Sequence, residues 1–596
     1  MPKLYQGDKG ENMASRPTLM GTRGMVATEH YLSAEAGMRI LHAGGNAFDA
    51  AVAATLAEGV LNPHMHTFGG EISALAYSTK DKKVFAINGD TVAPKAATIE
   101  WFKKHEIALI PFTGLLAAGP CAAPDTLLTI LQRFGTFSFA QVVEPALELA
   151  EGGFPVHRGL RGPAPAYMLA DFSIAGNADH FRKAWPSSAK VYLPDGRLPE
   201  VGEVLKNPDL GRTFRRLIDA ERKVQSQGRV RGLTAARNVF YSGAIAGRIV
   251  AHAQAHGGLL TAEDLAGFHS RVEEPAVLHY RGYQVYKCGP WSQGPVFLQQ
   301  LAILEGFDLP SLGPESADYI HVLAETAKLA FADREQYYGD PDFVEVPLSG
   351  LLSEHYATDR RALIDLHRAS LQQRPGNPRT GAALLTDEEV FAARNWGPGT
   401  VYVAVVDRER NMASFTPSGA WIPSSPVIDG LGFPLGTRVQ TFYLEPRHPN
   451  ALLPGKRPRT TLTPTMVLRN GAPCMVFGTP GGDQQDQWTL QFFLNVVEFG
   501  MEVQDAIEAP RFSSAHFPSS FYPHTAVPGL LRVEGRISEK VRQELAARGH
   551  TVEVKEDWSE GDVLGICVDP EKGILCGGAD PRGEYGERMP SYVIGW

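Results

Sequence analysis

Hydrophobic positions follow a helical period through much of the first two thirds of the chain. Apolar and small residues recur every three to four positions in stretches bounded by capping residues and glycines, a pattern typical of packed helices. Asn46, with Asp49 three residues later, resembles a capping arrangement ahead of a helix. The predicted helices in this part cover residues 33–42, 50–57, 140–151, 205–221, 295–305 and 316–337.

Short strands and turns dominate after residue 400. The run from Val401 to Val406 is apolar, β-branched and aromatic, and a turn-forming stretch at 407–411 closes it, so it predicts a buried strand. A helix-rich first part and a strand-rich last part indicate an α+β fold in which both parts share one core. Predicted strands lie at 72–77, 84–88, 400–406, 411–416, 465–469 and 473–477, and helices return at 487–499 and 538–548.

Thr400 stands at the first position of this buried strand, directly behind a Gly-Pro-Gly hinge that ends at Gly399. The preceding residues 370–399 are rich in Gln, Asn, Gly, Pro and charge, which suits an exposed, cleavable linker. Cleavage between Gly399 and Thr400 would provide a hydroxyl nucleophile and its own amine as base. Taken alone, the same residues also fit an ordinary threonine that enters a strand.

Composition limits the possible classes of protein. At 596 residues the chain exceeds the size at which one core normally stops growing, so two lobes or one large layered domain are expected. Its hydrophobic share of 43% and charged share of 21% are ordinary for a globular protein. The net charge of -9 argues against a nucleic-acid partner. Five scattered cysteines predict neither a disulfide framework nor a metal knuckle.

The start of the chain is polar and carries no apolar signal core. No apolar run approaches the length that a membrane span needs. The simplest prediction is a cytoplasmic protein with no membrane partner.

Two further segments carry candidate chemistry. The turn from Gly478 to Gly482 has consecutive glycines whose N–H groups could face a developing oxyanion, although a plain strand-to-helix turn fits as well. Residues 456–461 place two hydroxyls before the strand at 465–469, and taken alone they fit a solvated basic loop.

His64-Met65-His66 resembles the His-x-His pair of metal-dependent amidohydrolases. Such a pair follows a barrel strand, whereas this pair follows a helix, and no eightfold strand–helix alternation is visible. The metal interpretation is therefore disfavoured, and no metal or organic cofactor is predicted.

Together these segments resemble the γ-glutamyltransferase family of N-terminal nucleophile hydrolases, in the same order from Gly24 to Pro581. The resemblance implies a four-layer αββα sandwich, made as an inactive precursor that cuts itself into two subunits. It implies a flexible leader at 1–23, a large subunit at 24–399 that ends in the polar linker 370–399, and a small subunit at 400–596. The matching segments lie at 35–53, 316–334, 339–344, 455–465, 478–482, 508–512 and 579–582.

The resemblance assigns catalytic roles to four residues. It places the family's nucleophile on Thr400 and the supporting hydroxyl, which bonds the nucleophile, on Ser418. It places the oxyanion-hole glycines on Gly481 and Gly482. The implied reaction is attack of the threonine hydroxyl on an amide carbonyl, followed by release of the acyl group to water or an acceptor amine.

The substrate-binding end departs from the family pattern. The hydroxyl pair for the substrate carboxylate falls on Thr460 and Thr461, where the family usually has two serines. The family's arginine for the α-carboxylate falls on Asp90, so a glutamyl group should be held poorly unless Arg438 binds it from the other side. The residues that normally hold the α-amino group fall on or near Ala420, Arg438 and Thr441.

The catalytic residues match the family pattern, whereas the substrate-binding residues differ from it. This combination is similar to the branch of oxamate-type amidohydrolases and cephalosporin-type acylases. The sequence thus predicts a self-processing threonine amidohydrolase or acyltransferase that acts on a small amide and that could form homo-oligomers. One alternative is a true γ-glutamyltransferase or glutathione hydrolase. A second is an uncleaved, non-catalytic scaffold.

Overall fold

The computed structural model describes residues 14–163, 171–379, 399–585 and 591–596. The helices of these ranges are α1 (Tyr31–His42), α2 (Ala47–Leu61), α3 (Ile99–Lys104), α4 (Ala123–Phe134), α5 (Phe139–Gly152), α6 (Arg158–Arg161), α7 (Ile174–Ala184), α8 (Pro186–Tyr192), α9 (Pro208–Lys223), α10 (Arg229–Tyr241), α11 (Ala244–Ala255), α12 (Ala262–Gly267), α13 (Pro295–Leu304), α14 (Leu309–Leu312), α15 (Ala317–Tyr337), α16 (Leu348–Leu351), α17 (Glu354–Arg361), α18 (Gln485–Val497), α19 (Val503–Glu508), α20 (Glu539–Ala547) and α21 (Arg582–Tyr585).

The strands of the same ranges are β1 (Leu19–Gly21), β2 (Met25–Thr28), β3 (Glu71–Ser78), β4 (Lys83–Gly89), β5 (Phe154–Pro155), β6 (Val204–Leu205), β7 (Arg271–Glu273), β8 (Ala276–Tyr280), β9 (Tyr283–Lys287), β10 (Val403–Val406), β11 (Met412–Ser418), β12 (Thr465–Arg469), β13 (Ala472–Gly478), β14 (Phe512–Ser514), β15 (Leu530–Glu534), β16 (Thr551–Lys555), β17 (Leu564–Asp569), β18 (Ile574–Ala579) and β19 (Tyr592–Gly595).

Two seven-stranded antiparallel sheets form the centre of the molecule. One has the strand order β1-β18-β17-β13-β12-β9-β8, and the other has the order β19-β2-β10-β11-β3-β4-β7. The inner faces of the two sheets pack on each other through apolar side chains of both, including Met25, Leu75, Val476 and Ile566, all of which are fully buried. The region between the sheets is therefore a dry core of the kind that stabilises a sandwich.

Helices cover both outer faces of this sandwich. Helices α1, α2, α4, α5, α9 and α10 contribute to the apolar core against the sheet that contains β10. Helices α13, α15, α18, α19 and α20 contribute to the core against the other sheet. The predicted four-layer αββα sandwich is thus confirmed, and so is the α+β class.

Each sheet mixes strands from before and after Gly399. Strands β10, β11 and β19 pair into the sheet that holds β2, β3, β4 and β7, and β12, β13, β17 and β18 pair with β1, β8 and β9. Neither part of the chain can complete a sheet alone. A cut between Gly399 and Thr400 would therefore leave two chains joined by backbone ladders and a shared core.

The strand that follows Thr400 occupies the middle of its sheet, between β2 and β11. Helix α2 packs across it, and every residue of this alanine-rich helix is buried, so the helix and the sheet can approach closely. The predicted capping box of Asn46 and Asp49 starts this helix. The Ala47 N–H also donates to the Asp407 carboxylate just past β10, at 2.9 Å, which ties the helix to the strand.

The structure corrects two predictions about loose segments. Residues 19–21 of the expected leader 1–23 form β1, which pairs with β18, because backbone groups at a sheet edge gain partners there. Residues 1–13 lie outside the described residues. In the expected linker 370–399, the stretch 370–379 is anchored: for example, Gly376 N–H donates to Asp333 at 2.8 Å. Residues 380–398 also lie outside the described residues.

Across the ranges described above, no helix is both long enough and apolar enough to cross a membrane.

Candidate active site

Thr400 lies beside Ser418 in the middle of the sheet. The two residues form an isolated antiparallel bridge that extends the β10–β11 pairing. Their hydroxyl oxygens are 3.2 Å apart, and both side chains are fully buried. The structure therefore brings together the predicted nucleophile and the predicted supporting hydroxyl.

The carbonyl oxygen of Gly399 collects hydrogen bonds from three side chains. Thr400 Oγ1 donates at 2.8 Å and Ser418 Oγ at 2.7 Å. The indole Nε1 of Trp421 donates at 2.6 Å. A Cβ at Gly399 would come within 2.6 Å of the His64 carbonyl oxygen and 2.9 Å of the Trp421 ring, so this close approach requires glycine. The carbonyl of the peptide bond that is expected to be cut is thus held by the predicted nucleophile and by the predicted supporting hydroxyl.

A sharp turn at the end of β11 places Trp421 over this carbonyl. Gly419 and Ala420 both have positive φ, of 80° and 51°. The left-handed conformation is uncommon for a residue with a Cβ, and such strain is frequent at functional sites. Because two consecutive residues adopt it, the chain reverses immediately after Ser418, and Trp421 returns to the Gly399 carbonyl.

Arg438 and Glu71 form a buried ion pair behind Ser418. Arg438 Nε donates to Glu71 Oε1 at 2.7 Å, and both side chains are almost completely buried. Arg438 Nη2 also donates to Ser418 Oγ at 2.9 Å. Since this oxygen accepts from Arg438, its own proton is free to point at the Gly399 oxygen. The pair thus orients the Ser418 hydroxyl.

Asp90 lies close enough to this pair for the charges of Glu71 and Arg438 to shift its pKa. Burial, and next the charge of Glu71, raise the pKa of Asp90 well above its usual range. Burial also raises the pKa of Glu71, while Arg438 opposes the rise. Asp90 Oδ2 has no hydrogen-bond partner among the described residues. The sequence predicts a negative charge at Asp90, whereas its surroundings shift the equilibrium towards the neutral acid.

Thr460 and Thr461 lie in a second hydrogen-bonded group. Thr460 N–H donates to the Trp291 carbonyl at 3.0 Å, and Gln293 N–H donates to the Thr460 carbonyl at 2.9 Å. The Gln293 side chain then donates to the Gly482 carbonyl at 3.2 Å. The hydroxyl of Thr461 is buried and lacks a partner within the described ranges, so it is a free polar group. Gln293 therefore couples the threonine pair to the glycine turn.

The glycines of the 478–482 turn include two with backbone angles that only glycine adopts easily. Gly481 has φ of 125° and Gly482 has φ of 60°, and a Cβ at Gly481 would lie 2.2 Å from the Trp488 ring. The turn begins at Gly478, which lies directly against the ring of Tyr402. No hydrogen bond within residues 399–585 joins either turn glycine to Thr400. The oxyanion assignment of Gly481 and Gly482 thus stays a prediction.

His64-Met65-His66 lies against the peptide bond between Gly399 and Thr400. The His64 carbonyl packs on Gly399, and His66 Nδ1 lies 3.1 Å from the Ser418 carbonyl oxygen. Burial lowers the pKa of His66 to about 4 and that of His64 well below its usual range, so both rings are neutral near pH 7. These histidines help to position the backbone at Gly399 and Ser418.

One cluster among the described residues could hold a metal ion. It consists of His321, Glu325 and His550, whose ligand atoms lie within 4.8 Å of one another. Glu325 already accepts from Lys328 Nζ at 2.6 Å and from Arg374 Nη2 at 3.1 Å. Two cations beside the only carboxylate disfavour a divalent ion. We interpret the cluster as an anchor for the segment that follows residue 365.

Three residues of the site are absent from the sequence prediction: Glu71, Trp421 and Gln293. Glu71 had a detectable signal, since an acidic residue opens a strand that is otherwise apolar or small and fully buried. A buried charge of this kind requires a partner. Trp421 and Gln293 carry no comparable signal, because their roles depend on contacts between distant segments.

The Ser418→Ala variant is expected to cut itself and to turn over substrate roughly tenfold to a hundredfold more slowly. The change removes one hydrogen bond to the Gly399 oxygen, worth about 1–3 kcal/mol when its partner stays buried. Electrophoresis of timed samples measures the cut. Ser513→Ala is a matched control, since Ser513 is an equally buried serine that donates to Glu560. Cleavage of Ser418→Ala at the wild-type rate would contradict the role.

A sandwich with a threonine at the head of a central strand, directly behind a tightly packed glycine, defines an N-terminal nucleophile hydrolase. The profile of the Gamma-glutamyltranspeptidase family matches residues 33–589. The glutathione hydrolase-like YwrD proenzyme of Bacillus subtilis (strain 168) is 33% identical over 577 residues, which cover 95% of this chain and 98% of that protein.

Solved structures agree with this match. LmbA2991HD has a TM-score of 0.90 and 42% identity, and the match covers 98% of this chain and 100% of that one. The cephalosporin acylase from Bacillus halodurans has a TM-score of 0.82 and 30% identity over 99% of each chain. The chain belongs to the γ-glutamyltranspeptidase family. It is an autoprocessed enzyme of that type, an amide hydrolase or acyltransferase made as a proenzyme.

Proposed function

We propose that Thr400 is the nucleophile of self-cleavage and of turnover, and that the mature enzyme hydrolyses a small amide through a threonyl acyl-enzyme. The observation that carries this proposal is the contact of Thr400 Oγ1 with the Gly399 oxygen and with Ser418 Oγ. After cleavage the freed α-amine would act as the base that moves the hydroxyl proton. Large and small subunits of one precursor would remain a single sandwich.

The acyl group is the part of the substrate that Asp90 and Arg438 would select. Glu71 is already the ion partner of Arg438, and Asp90, whose pKa burial and Glu71 raise, supplies no cation. A γ-carboxyl-linked glutamate, whose free carboxylate needs a strong cation, is therefore a poorer fit than a neutral or amine-bearing acyl group. Likeness to a cephalosporin acylase supports the same choice.

A true γ-glutamyltransferase or glutathione hydrolase is the second candidate. It is favoured by Arg438 Nη1, a buried donor without a hydrogen-bond partner in the described part of the chain. Such a donor could donate a hydrogen bond to a substrate carboxylate beside the nucleophile. Thr461, whose hydroxyl also lacks a partner there, could contribute a second bond. A cytoplasmic location stays a prediction.

Self-cleavage is expected to separate Gly399 from Thr400, so that sequencing of the smaller chain begins Thr-Val-Tyr-Val. The purified enzyme is then assayed with small neutral amides, γ-glutamyl anilide and glutathione, and the acyl adduct is located by mass spectrometry on Thr400. A different start, or an adduct elsewhere, would contradict the nucleophile. Efficient turnover of γ-glutamyl anilide alone would favour the second candidate, and a single uncut inactive chain would favour the scaffold.

A further inference from the structure

The Gly399 oxygen has one hydrogen-bond partner whose donor role cannot change. Indole Nε1–H is a donor only, whereas a hydroxyl can donate or accept. The Thr400 hydroxyl must give up its proton in order to attack, so its own bond to this oxygen cannot last through the reaction. Trp421 Nε1 donates at 2.6 Å and keeps its proton throughout.

Packing fixes the direction of this N–H group. Trp421 is completely buried, and its ring stacks on Phe112 with centroids 5.6 Å apart and planes within 7°. Phe172 meets it edge-on at 5.5 Å, and the Arg438 guanidinium lies 5.3 Å from the ring centroid. A donor held by neighbours on several sides is preorganised, so it costs no reorientation when charge develops on its acceptor.

We propose that Trp421 is a catalytic residue of self-cleavage, whose indole N–H stabilises the oxyanion that forms on the Gly399 carbonyl. The inference rests on the proposed role of Thr400 as nucleophile. It assigns Trp421 a task that is distinct from the glycine turn at 478–482, whose N–H groups are expected to serve the external substrate. The precursor would thus carry a dedicated oxyanion donor for its own peptide bond.

The chemical step balances without a cofactor. Thr400 Oγ1 forms a bond to the Gly399 carbonyl carbon while the carbonyl electron pair moves onto the oxygen, where Trp421 and Ser418 donate. The hydroxyl proton passes to the Thr400 nitrogen, the carbon–nitrogen bond breaks, and an ester with a free α-amine results. Water then hydrolyses the ester to the Gly399 carboxylate and restores the Thr400 hydroxyl.

The test uses the full chain, made by pulsed cell-free synthesis so that cutting can be followed from the start by denaturing electrophoresis. Trp421→Phe keeps an aromatic ring but has no N–H, and it is expected to cut 10²- to 10³-fold more slowly, the usual effect of losing one oxyanion donor. Trp291→Phe is the matched control, since Trp291 is equally buried and donates to Glu273 at 2.8 Å. The control should stay within about threefold of the wild type.

A second variant separates hydrogen bonding from packing. Site-specific incorporation of 3-benzothienylalanine at position 421 replaces the N–H by sulfur in a ring of nearly the same shape. It should reproduce the slow cleavage even if Trp421→Phe fails to fold. Cutting by this analogue within threefold of the wild-type rate would overturn the proposal. If the wild-type small chain does not begin at Thr400, the proposed nucleophile fails instead, so the two failures are distinguishable.

Discussion

Thr400→Ala is expected to remain a single uncut chain with no amidase activity. The variant lacks the hydroxyl that contacts the Gly399 oxygen at 2.8 Å, so it can neither open its own peptide bond nor form an acyl-enzyme. Removing a catalytic nucleophile typically lowers turnover by roughly a millionfold, which is below the detection limit of most amidase assays. Electrophoresis and an assay with the best amide of the wild type measure both effects.

Two matched variants make this result specific. Thr400→Ser keeps a hydroxyl at the same place and should still cut and turn over, although more slowly. Thr416→Val changes a threonine of β11 that is equally buried and whose hydroxyl has no partner in the described ranges, so it should cut normally. Activity of Thr400→Ala on any amide that the wild type hydrolyses would refute the mechanism.

Arg438→Met is expected to destabilise the precursor by about 3–5 kcal/mol and to slow its cleavage. The substitution leaves the Glu71 carboxylate buried without its ion partner, and it removes the donor that orients Ser418 Oγ at 2.9 Å. The loss of stability is measured by chemical denaturation in the Thr400→Ala background, in which every sample stays uncut. Cleavage is measured in the background that retains Thr400.

The stability defect should depend on pH in a defined direction. Burial already raises the pKa of Glu71, and loss of Arg438 removes the charge that opposes this rise. An acid whose pKa is raised in the folded state does not lower the free energy of unfolding at a pH below its unfolded pKa of about 4.3. It lowers that free energy progressively as the pH rises towards its folded pKa. The defect of Arg438→Met should therefore be smallest at low pH and should grow as the pH rises above the unfolded pKa of Glu71.

The double variant Glu71→Gln/Arg438→Met separates the two effects. Removing both charges should recover much of the stability, because no ion is left buried without a partner. Cleavage should stay slow, because Ser418 still lacks its donor. A stability loss below about 1 kcal/mol in the single variant, or normal cleavage in the double variant, would contradict the role of this pair.

The division of the sheets explains why a cut in the middle of the chain is compatible with a stable enzyme. Thr400 begins a segment that leads into a central strand, and both of that strand's neighbours, β2 and β11, remain paired whether or not the bond to Gly399 is intact. Backbone ladders and apolar burial thus keep the catalytic residues in place after processing.

Local patterns along the chain were sufficient for several elements and for the α+β class, whereas the four-layer sandwich was implied by the resemblance to the family. The helix predicted at 316–337 is α15, the strand at 465–469 is β12, and the strands at 72–77 and 84–88 are β3 and β4. Periodicity, caps and turns act over a few residues, so a single sequence contains them. The sequence also placed Thr400 at the head of a buried strand, and it supplied the ordered segments from which the family was identified.

The tertiary structure alone decided how the site works. Arg438 meets Glu71 across 367 positions of the chain, and Trp421 reaches the Gly399 oxygen only because Gly419 and Ala420 adopt left-handed backbone angles. The raised pKa of Asp90 likewise follows from burial beside Glu71. Periodicity cannot predict such features, since contacts between distant segments, desolvation and the direction of a single N–H arise only when the layers pack together.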